Sequence, residues 1–175
     1  PLADDLAARG LASWNVEYRR LDCGGGGLRT VDDVRAAVGH LRGLGDELVA
    51  AVGHSAGGHL ALLIDGHVPA IAGQAAVTDI ELGIDLRLGD DRPVVERFAE
   101  GASLDELSPI RRAPLGVPVL LVHGTADEDV PAVFSERFAA RGGAVTLRLR
   151  EGEGHFEHLD PGSGAWEDVV AWLPT

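Results

Sequence analysis

A serine stands between two glycines in the segment GHSAG at 53–57, which fits the pattern G-x-S-x-G. In proteins that use this pattern, the glycines permit a sharp turn from a strand into a helix, and the turn lifts the serine hydroxyl above the sheet. A serine hydroxyl attacks a carbonyl carbon when a neighbouring base takes its proton. The apolar segments ELVAAV at 47–52 and HLALLI at 59–64 supply that strand and helix. We therefore predict that Ser55 is a nucleophile, whereas without these neighbours it would be an ordinary turn residue.

Two loops further along the chain carry groups that can activate this serine. The segment VLLVHGTADEDVP places Asp127 just beyond a buried strand, and GEGHFEH places His155 in a glycine-flanked loop after the next strand. A serine nucleophile needs a histidine base, and the base needs a carboxylate that orients it. The chain order Ser55, Asp127, His155 is the order nucleophile, acid, base of hydrolases that carry this turn. The spacing therefore predicts a Ser-His-Asp triad.

Other residues of the same types remain as alternatives for the acid and the base. Asp127 could instead form an Asx turn or cap a helix, and Asp79 and Asp129 are rival acids. His158 is the nearest rival to His155 as the base. The glycine before His155 and the phenylalanine after it favour His155.

The remaining histidines and the single cysteine are not expected to bind a metal. His54 and His59 lie five residues apart, whereas a helical zinc pair needs a spacing of four, so these two and His123 are expected to pack or to form turns. Cys23 is the only cysteine, so no cysteine pair and no internal disulfide can form. The glycines at 24–27 complete neither G-x-G-x-x-G nor G-x-x-x-x-G-K-[ST], since position 29 is arginine and the chain contains no lysine. We predict no metal and no cofactor.

The composition is typical of one globular domain, with 45% hydrophobic and 25% charged residues in a chain of 175. Twenty-eight acidic residues against 15 basic ones give a formal net charge of −13. The basic residues are arginines without the clusters that bind nucleic-acid phosphates. We therefore expect no nucleic acid as a partner. The predicted triad implies a small-molecule ester or amide as substrate, and we expect no membrane partner and allow for a homodimer.

Three features bear on where the protein is found. No apolar run approaches the roughly 18 residues of a membrane span, the opening residues lack the pattern of a signal peptide, and the single cysteine suits a reducing compartment. A cytoplasmic location is the expectation. Because the chain opens with Pro1 and contains no methionine, we also expect it to be a piece of a longer protein.

The elements that must position these residues alternate along the chain. The patterns predict strands at 11–18, 47–52, 70–77, 117–122 and 144–150, and helices at 2–9, from 30 to about 43, 59–64, 131–141 and 166–173. The charged stretch 80–112 is expected to be a cap or crossover insert, with helical segments at 92–100 and 103–107. This alternation predicts a single α/β domain over 1–175, with a three-layer, doubly wound, mostly parallel sheet.

Four segments carry a family resemblance that covers nearly the whole chain. WNVEYRR, GHSAGGHLAL, HGTADEDVP and GHFEHLDP resemble the corresponding segments of α/β-hydrolases of the esterase and kynurenine formamidase-like group. The resemblance implies that Ser55 is the nucleophile, Asp127 the orienting acid and His155 the base, and that the backbone N–H of Ala56 is one oxyanion donor. It also implies a small carboxylic ester or an N-formyl amide as substrate.

The sequence departs from this family at its beginning. Such hydrolases carry an HGG-type loop before the first helix seen here, which donates the second oxyanion N–H, and no HGG occurs in this sequence. The family fold also places its third strand between the strands that LASWNVEY and ELVAAV would form, so a gap in the sheet is expected. The alternative function is therefore a non-catalytic or truncated hydrolase-like domain that serves as a binding module.

Overall fold

A computed structural model describes residues 1–45, 47–89 and 93–173. The strands are β1 (Ala51–His54), β2 (Ile71–Gln74), β3 (Val119–Gly124) and β4 (Val145–Arg150). The helices are α1 (Leu2–Ala8), α2 (Gly27–Leu44), α3 (Ala56–Leu62), α4 (Ile80–Asp85), α5 (Val94–Ala99), α6 (Leu104–Leu107), α7 (Pro109–Arg112), α8 (Val133–Ala139) and α9 (Gly164–Trp172). Among the described helices, none combines the length and the apolar character that crossing a bilayer requires.

The described strands form one parallel sheet in the order β1-β2-β3-β4. Ile71 of β2 lies opposite Ala51 of β1 on one side and Val119 of β3 on the other, and Val145 of β4 lies opposite Val119. Parallel neighbours need long crossovers, and here each crossover contains helix. The predicted α/β class is confirmed.

Alternation of side chains along the strands separates two helical layers. Val119 and Leu121 of β3 face one core, which contains side chains of α2, α3, α5 and α8, whereas Leu120 and Val122 face a second core with α1 and α9. Successive side chains of a strand point to opposite faces of the sheet, so these cores lie on opposite sides. Leu121 has no exposed surface, and full burial of a leucine stabilises the fold by about 1.5–3 kcal/mol. The sheet is therefore covered on both faces, as the three-layer prediction requires.

The strand predicted at 11–18 is wrong. Residues 11–20 adopt no regular secondary structure, and Trp14 is 47% exposed. The backbone–backbone hydrogen bonds that this stretch makes within the described chain are local ones at its two ends, from the Leu11 N–H to the Leu6 carbonyl and from the N–H groups of Cys23 and Gly25 to the Arg20 carbonyl. A strand is stabilised by the ladder it forms with a neighbour, and no described strand pairs with this stretch. The flanking glycines that suggested a strand are present, but the partner that would order the segment is not among the described residues.

Several predicted boundaries shift, and the reasons are local. The strand predicted at 47–52 pairs only from Ala51 to His54, because the ladder with β2 begins there. The helix predicted at 59–64 begins earlier, at Ala56, directly after the serine. The stretch 80–112 forms the connection from β2 to β3 and contains α4 to α7 in its described part. Residue 92, the first of the helix predicted at 92–100, lies outside the described residues.

Candidate active site

Ser55 lies in a tight turn between β1 and α3. Its backbone angles are φ 53° and ψ −117°, which L-residues other than glycine seldom adopt and which costs about 1–3 kcal/mol. The turn brings Gly53 against Gly57, because a Cβ on Gly53 would lie 2.2 Å from the carbonyl oxygen of Gly57. The strand, turn and helix predicted from G-x-S-x-G are therefore present, and Gly53 is required by close backbone approach.

The other glycines of this turn differ in what they contact. A Cβ on Gly57, the second glycine of the pattern, would meet nothing within 4 Å. A Cβ on Gly58 would lie 2.7 Å from the Cβ of Ala76 and 2.9 Å from the carbonyl oxygen of Gly53. Gly58 therefore allows α3 to pack against the sheet, a requirement that the sequence analysis missed and that the doubled glycine GG could have signalled.

The backbone around Ser55 is held by neighbouring elements. Its N–H donates to the Gln74 carbonyl at the end of β2 (2.8 Å), and its carbonyl accepts from the His59 N–H (3.0 Å). Ala56 is the first residue of α3, where backbone N–H groups have no partner within the helix. Ser55 and His155, both within the described residues, form no hydrogen bond with each other. In enzymes without substrate such contacts are often long and tighten only in the complex.

Asp127 and His155 are brought together as the sequence predicted. The Nδ1–H of His155 donates to Oδ2 of Asp127 at 2.8 Å, and both residues are buried. Oδ1 of Asp127 accepts from the N–H groups of Asp129 (3.0 Å) and Val130 (2.8 Å). Because a carboxylate only accepts, the proton of the neutral imidazole lies on Nδ1, and Nε2 carries the lone pair that a general base needs.

The loops that carry these two residues cross closely. A Cβ on Gly124, the last residue of β3, would lie 2.1 Å from the carbonyl oxygen of Glu153. The Ala126 N–H also donates to the Glu153 carbonyl (3.0 Å), and the Thr125 N–H to the Arg150 carbonyl (2.9 Å). Parallel strands end at the same edge of a sheet, so the loops after β3 and β4 meet there. Gly124 permits this contact because it has no side chain.

His123 supports the acid loop from inside. Its Nε2–H donates to the Val130 carbonyl (2.7 Å), and its Nδ1 accepts from the Ser135 hydroxyl (2.7 Å). The same Nε2 lies 3.4 Å from Oδ2 of Asp127. Burial lowers the pKa of His123, so this residue is neutral at neutral pH. His123 therefore fixes the loop that presents Asp127.

The rival acids and the rival base have other roles or surroundings. Asp79 accepts from the Leu82 N–H (3.1 Å) at the start of α4 and forms an ion pair with Arg137 (3.0 Å). Asp129 is exposed, whereas His158 is completely buried, and neither ring nitrogen of His158 has a hydrogen-bond partner in the described structure. Burial lowers the pKa of His158 to about 4. His158 therefore lacks the oriented partner that His155 has.

His54 contacts the base directly, although the sequence analysis treated it as a packing or turn residue. Its Nε2 lies 2.8 Å from the carbonyl oxygen of His155, and the centroids of the two rings are 4.5 Å apart. Burial, and the positive charge that His155 carries when protonated, lower the pKa of His54. Its position next to the serine in G-H-S was the available signal for this contact.

Among the described residues, one group could be considered as a metal site, and it consists of Asp127, Asp129 and His155. One possible ligand atom from each lies within 4.8 Å of the others. However, Asp127 and His155 already bond to each other, and Oδ1 of Asp127 accepts two backbone N–H groups. Metal ligation through Nδ1 of His155 would require this nitrogen to give up its proton and its bond to the carboxylate. The arrangement fits an acid–base pair better than a metal centre.

Comparisons with known proteins give one family and several similar folds. The sequence profile of the prolyl oligopeptidase family matches residues 12–173. An acetyl ester-xyloside bifunctional hydrolase from Caldicellulosiruptor lactoaceticus aligns with a TM-score of 0.78 and 17% identity, over 99% of this chain and 77% of that one. A thermophilic esterase from the Planctomycetes species Thermogutta terrifontis, with propionate bound, aligns with a TM-score of 0.75 and 24% identity, over 98% and 72%.

A more distant fold match is a puromycin-hydrolyzing peptidase from Mycobacterium tuberculosis. It aligns with a TM-score of 0.58 and 27% identity, over 71% of this chain but only 22% of that protein. No match was found among curated proteins. At 17% and 24% identity, the two ester-hydrolysing neighbours show only that this chain shares their fold. The family assignment comes from the sequence profile.

Proposed function

Because this chain belongs to the prolyl oligopeptidase family of α/β-hydrolases, we propose that it hydrolyses small carboxylic esters or N-formyl amides through an acyl-enzyme on Ser55. The observation that carries the proposal is the buried hydrogen bond between Asp127 and His155, 2.8 Å long, at the sheet edge that also holds the strained serine turn. A histidine oriented by a carboxylate, at the sheet edge that carries a half-buried serine turn, is the arrangement that acyl transfer requires.

In the proposed mechanism, the Ser55 hydroxyl attacks the substrate carbonyl carbon while Nε2 of His155 takes its proton. Asp127 stabilises the imidazolium that forms, and the N–H of Ala56 donates to the oxyanion. The tetrahedral intermediate expels the alcohol or amine, which receives the proton from His155. Water, activated by the same histidine, then attacks the acyl-enzyme, and Ser55 recovers its proton.

Support for a short acyl group comes from the resemblance of the sequence motifs and from two neighbours in fold. One of these neighbours is described as acting on acetyl esters, and the other holds propionate. Phe156 adds an apolar surface next to the base, since it is 65% exposed and its ring meets the His155 ring edge-on at 5.1 Å. Such a surface favours an apolar or aromatic leaving group.

A second candidate function is a binding module without catalysis, and an observation on β1 favours it. Among the described strands, β1 pairs only with β2, and no HGG segment occurs in the sequence to supply a second oxyanion donor. Loss of one such donor typically costs about 10²- to 10³-fold in kcat. A protein of this kind would keep the fold and the Asp127–His155 pair but would not form an acyl-enzyme.

The deciding experiment is intact-mass analysis after treatment with a fluorophosphonate, which phosphonylates activated serines. We expect a single adduct on the parent protein and none on Ser55→Ala. Ser13→Ala is a matched control, because Ser13 is exposed in the irregular stretch 11–20, and it should label like the parent. The absence of an adduct on a folded parent would favour the binding module, and an adduct that persists in Ser55→Ala would exclude Ser55 as the nucleophile.

Substrate class is tested on the same three proteins. Initial rates are compared for p-nitrophenyl acetate, p-nitrophenyl octanoate, N-formylaniline and an aminoacyl anilide. The proposal expects the acetate ester or the formyl amide to give the highest kcat/KM. A clear preference for the aminoacyl anilide would instead point to peptidase activity, as in the puromycin-hydrolyzing neighbour.

A further inference from the structure

His54 connects the serine turn to the loop that carries the base. It is the last residue of β1, directly before Ser55, and its side chain reaches the main chain of His155 across the site. A carbonyl oxygen can only accept a hydrogen bond, so the imidazole of His54 carries its proton on Nε2 and donates it over 2.8 Å. The two functional turns are therefore joined by a direct bond.

This bond has few competitors at His155. The ring of His155 is held at Nδ1 by Asp127. In the described structure, the backbone of His155 makes no hydrogen bond except the one that its carbonyl accepts from His54. The rings of His54 and His155 also pack at 4.5 Å with a tilt of 52°. The side chain of His54 thus donates the hydrogen bond to the His155 backbone and also packs against the His155 ring.

We propose that His54 is a positioning residue, which sets the distance between the Ser55 hydroxyl and the His155 imidazole by donating Nε2–H to the His155 carbonyl. This role rests on the proposed function of Ser55 and His155, because positioning matters only if those two groups react together. It differs from a packing role, in which any side chain of similar size would serve.

The charge state of His54 agrees with this role. The titratable groups around it are Asp127 and the imidazoles of His123, His155 and His158. Burial lowers the pKa of His54, and a protonated His155 lowers it further. A neutral His54 donates its bond without placing a second positive charge beside the imidazolium that forms on His155 during acylation.

Two variants separate positioning from packing. His54→Gln keeps an N–H donor that can reach the His155 carbonyl, whereas His54→Leu keeps apolar bulk and removes the donor. A neutral hydrogen bond contributes about 0.5–1.5 kcal/mol, and about 1.4 kcal/mol corresponds to tenfold in rate. We therefore expect His54→Leu to lower kcat on p-nitrophenyl acetate about 3- to 10-fold with KM within about twofold, and His54→Gln to restore kcat to within about twofold. His40→Leu changes an exposed histidine on α2 and should leave both constants unchanged.

A second readout does not depend on activity. The Nδ1 proton of His155, bonded to Asp127, is followed by NMR in protein with ¹⁵N-labelled histidine. We expect it to exchange with water at least several-fold faster in His54→Leu and at nearly the parent rate in His54→Gln. If the parent neither hydrolyses esters nor reacts with the fluorophosphonate, the proposed function fails, and this exchange rate still decides whether His54 orders the base. Equal kcat and exchange in all three proteins, or equal losses in both His54 variants, would overturn the proposal.

Discussion

The acid–base half of the site and the nucleophile half are built very differently. Asp127 and His155 follow β3 and β4, and β3 is buried along its whole length between two paired strands. Ser55 follows β1, which pairs only with β2 in the described sheet and leaves Val52 37% exposed. Asp127 therefore follows a strand that is paired on both sides, whereas Ser55 follows a strand that is paired on one side in the described sheet. His155 also follows an edge strand, β4, but its ring is fixed by the hydrogen bond to Asp127.

The two halves also differ in how their loops are held. The loop of Asp127 is anchored by His123, by two backbone donors to the carboxylate and by the crossing at Gly124. The serine turn depends on close contacts at Gly53 and Gly58 and on a strained backbone at Ser55 itself. Perturbations of the first half should therefore act through lost hydrogen bonds, and perturbations of the second through local geometry.

The largest effect is expected from Asp127→Asn, which tests the acid–base half alone. The amide keeps the size of the carboxylate, but it no longer holds the His155 imidazole in the productive tautomer. We expect kcat for p-nitrophenyl acetate to fall by about 10⁴-fold, with the far-ultraviolet circular dichroism spectrum unchanged. Asp129→Asn alters the exposed neighbour and serves as the control. A loss in Asp129→Asn as large as that in Asp127→Asn would assign the acid to the wrong residue.

Truncation of one strand side chain in each half measures how much each strand stabilises the fold. Leu121→Ala removes a side chain without exposed surface from β3 and should lower the free energy of unfolding by about 2–5 kcal/mol. Val52→Ala changes a partly exposed position of β1 and should cost about 0.5 kcal/mol. Urea denaturation of both variants measures the difference. Equal losses would mean that β1 is as well packed as β3, and the comparison between the halves would be wrong.

Acid should destabilise the protein through the buried histidine of the acid–base half. The folded pKa of His158 is about 4, below the value of about 6.5 for an unfolded histidine. As the pH falls from 6.5 to 4, only the unfolded chain binds this proton, so the free energy of unfolding decreases. At pH 4.5 the decrease from this one group is about 2–3 kcal/mol. His158→Phe removes no hydrogen bond from either ring nitrogen and should abolish that part of the decrease.

The measurement for His158→Phe is the difference in free energy of unfolding between pH 7 and pH 4.5, obtained by urea denaturation. His40→Phe, which changes an exposed histidine, should keep the full decrease of the parent. His59 also has a pKa of about 4 because it is buried, so part of the acid sensitivity persists in every variant. An identical pH difference in His158→Phe and in the parent would show that His158 titrates normally.

The same substitution, glycine to alanine, can be made in both halves. A Cβ at Gly124 would overlap the Glu153 backbone, so Gly124→Ala should lower the free energy of unfolding by about 1–3 kcal/mol. A Cβ at Gly57 meets open space within α3, so Gly57→Ala should be neutral or stabilise by up to about 1 kcal/mol. Thermal unfolding followed by circular dichroism compares the two. A destabilised Gly57→Ala would reveal a steric constraint in the serine turn that its open surroundings do not explain.

Much of the fold follows from the sequence, because the alternation of apolar strands and amphipathic helices has one stable arrangement, a covered parallel sheet. The pairing of Asp127 with His155 was predictable for a related reason, since loops after parallel strands meet at one edge. The catalytic roles of Ser55, Asp127, His155 and Ala56 stay predictions. The prediction of a strand at 11–18 was wrong because a local sequence pattern cannot reveal whether a pairing partner is available.

Two contributions at the site could not be read from residue types alone. The doubled glycine GG marks Gly58 as a candidate for close packing, but the local pattern does not reveal that the group it packs against is Ala76. In the sequence, His54 looks like an ordinary turn histidine, and the hydrogen bond that it makes to His155 joins residues 101 positions apart. The sequence contains a local signal for each residue, but the partner of each contact depends on how separate segments pack and becomes visible only in three dimensions.

Within the described part of the chain, β1 has no partner on one side, and this open side bears on how the protein behaves in bulk solution. A strand edge with unpaired backbone groups is a template for another chain, and Val49 and Val52 add exposed apolar surface there. The net charge of −13 opposes such encounters by mutual repulsion. Dissolved salt shortens the reach of that repulsion to about 8 Å at 0.15 M. Colloidal stability is therefore expected to be highest in dilute salt and to decline as ionic strength rises, long before the fold itself is affected.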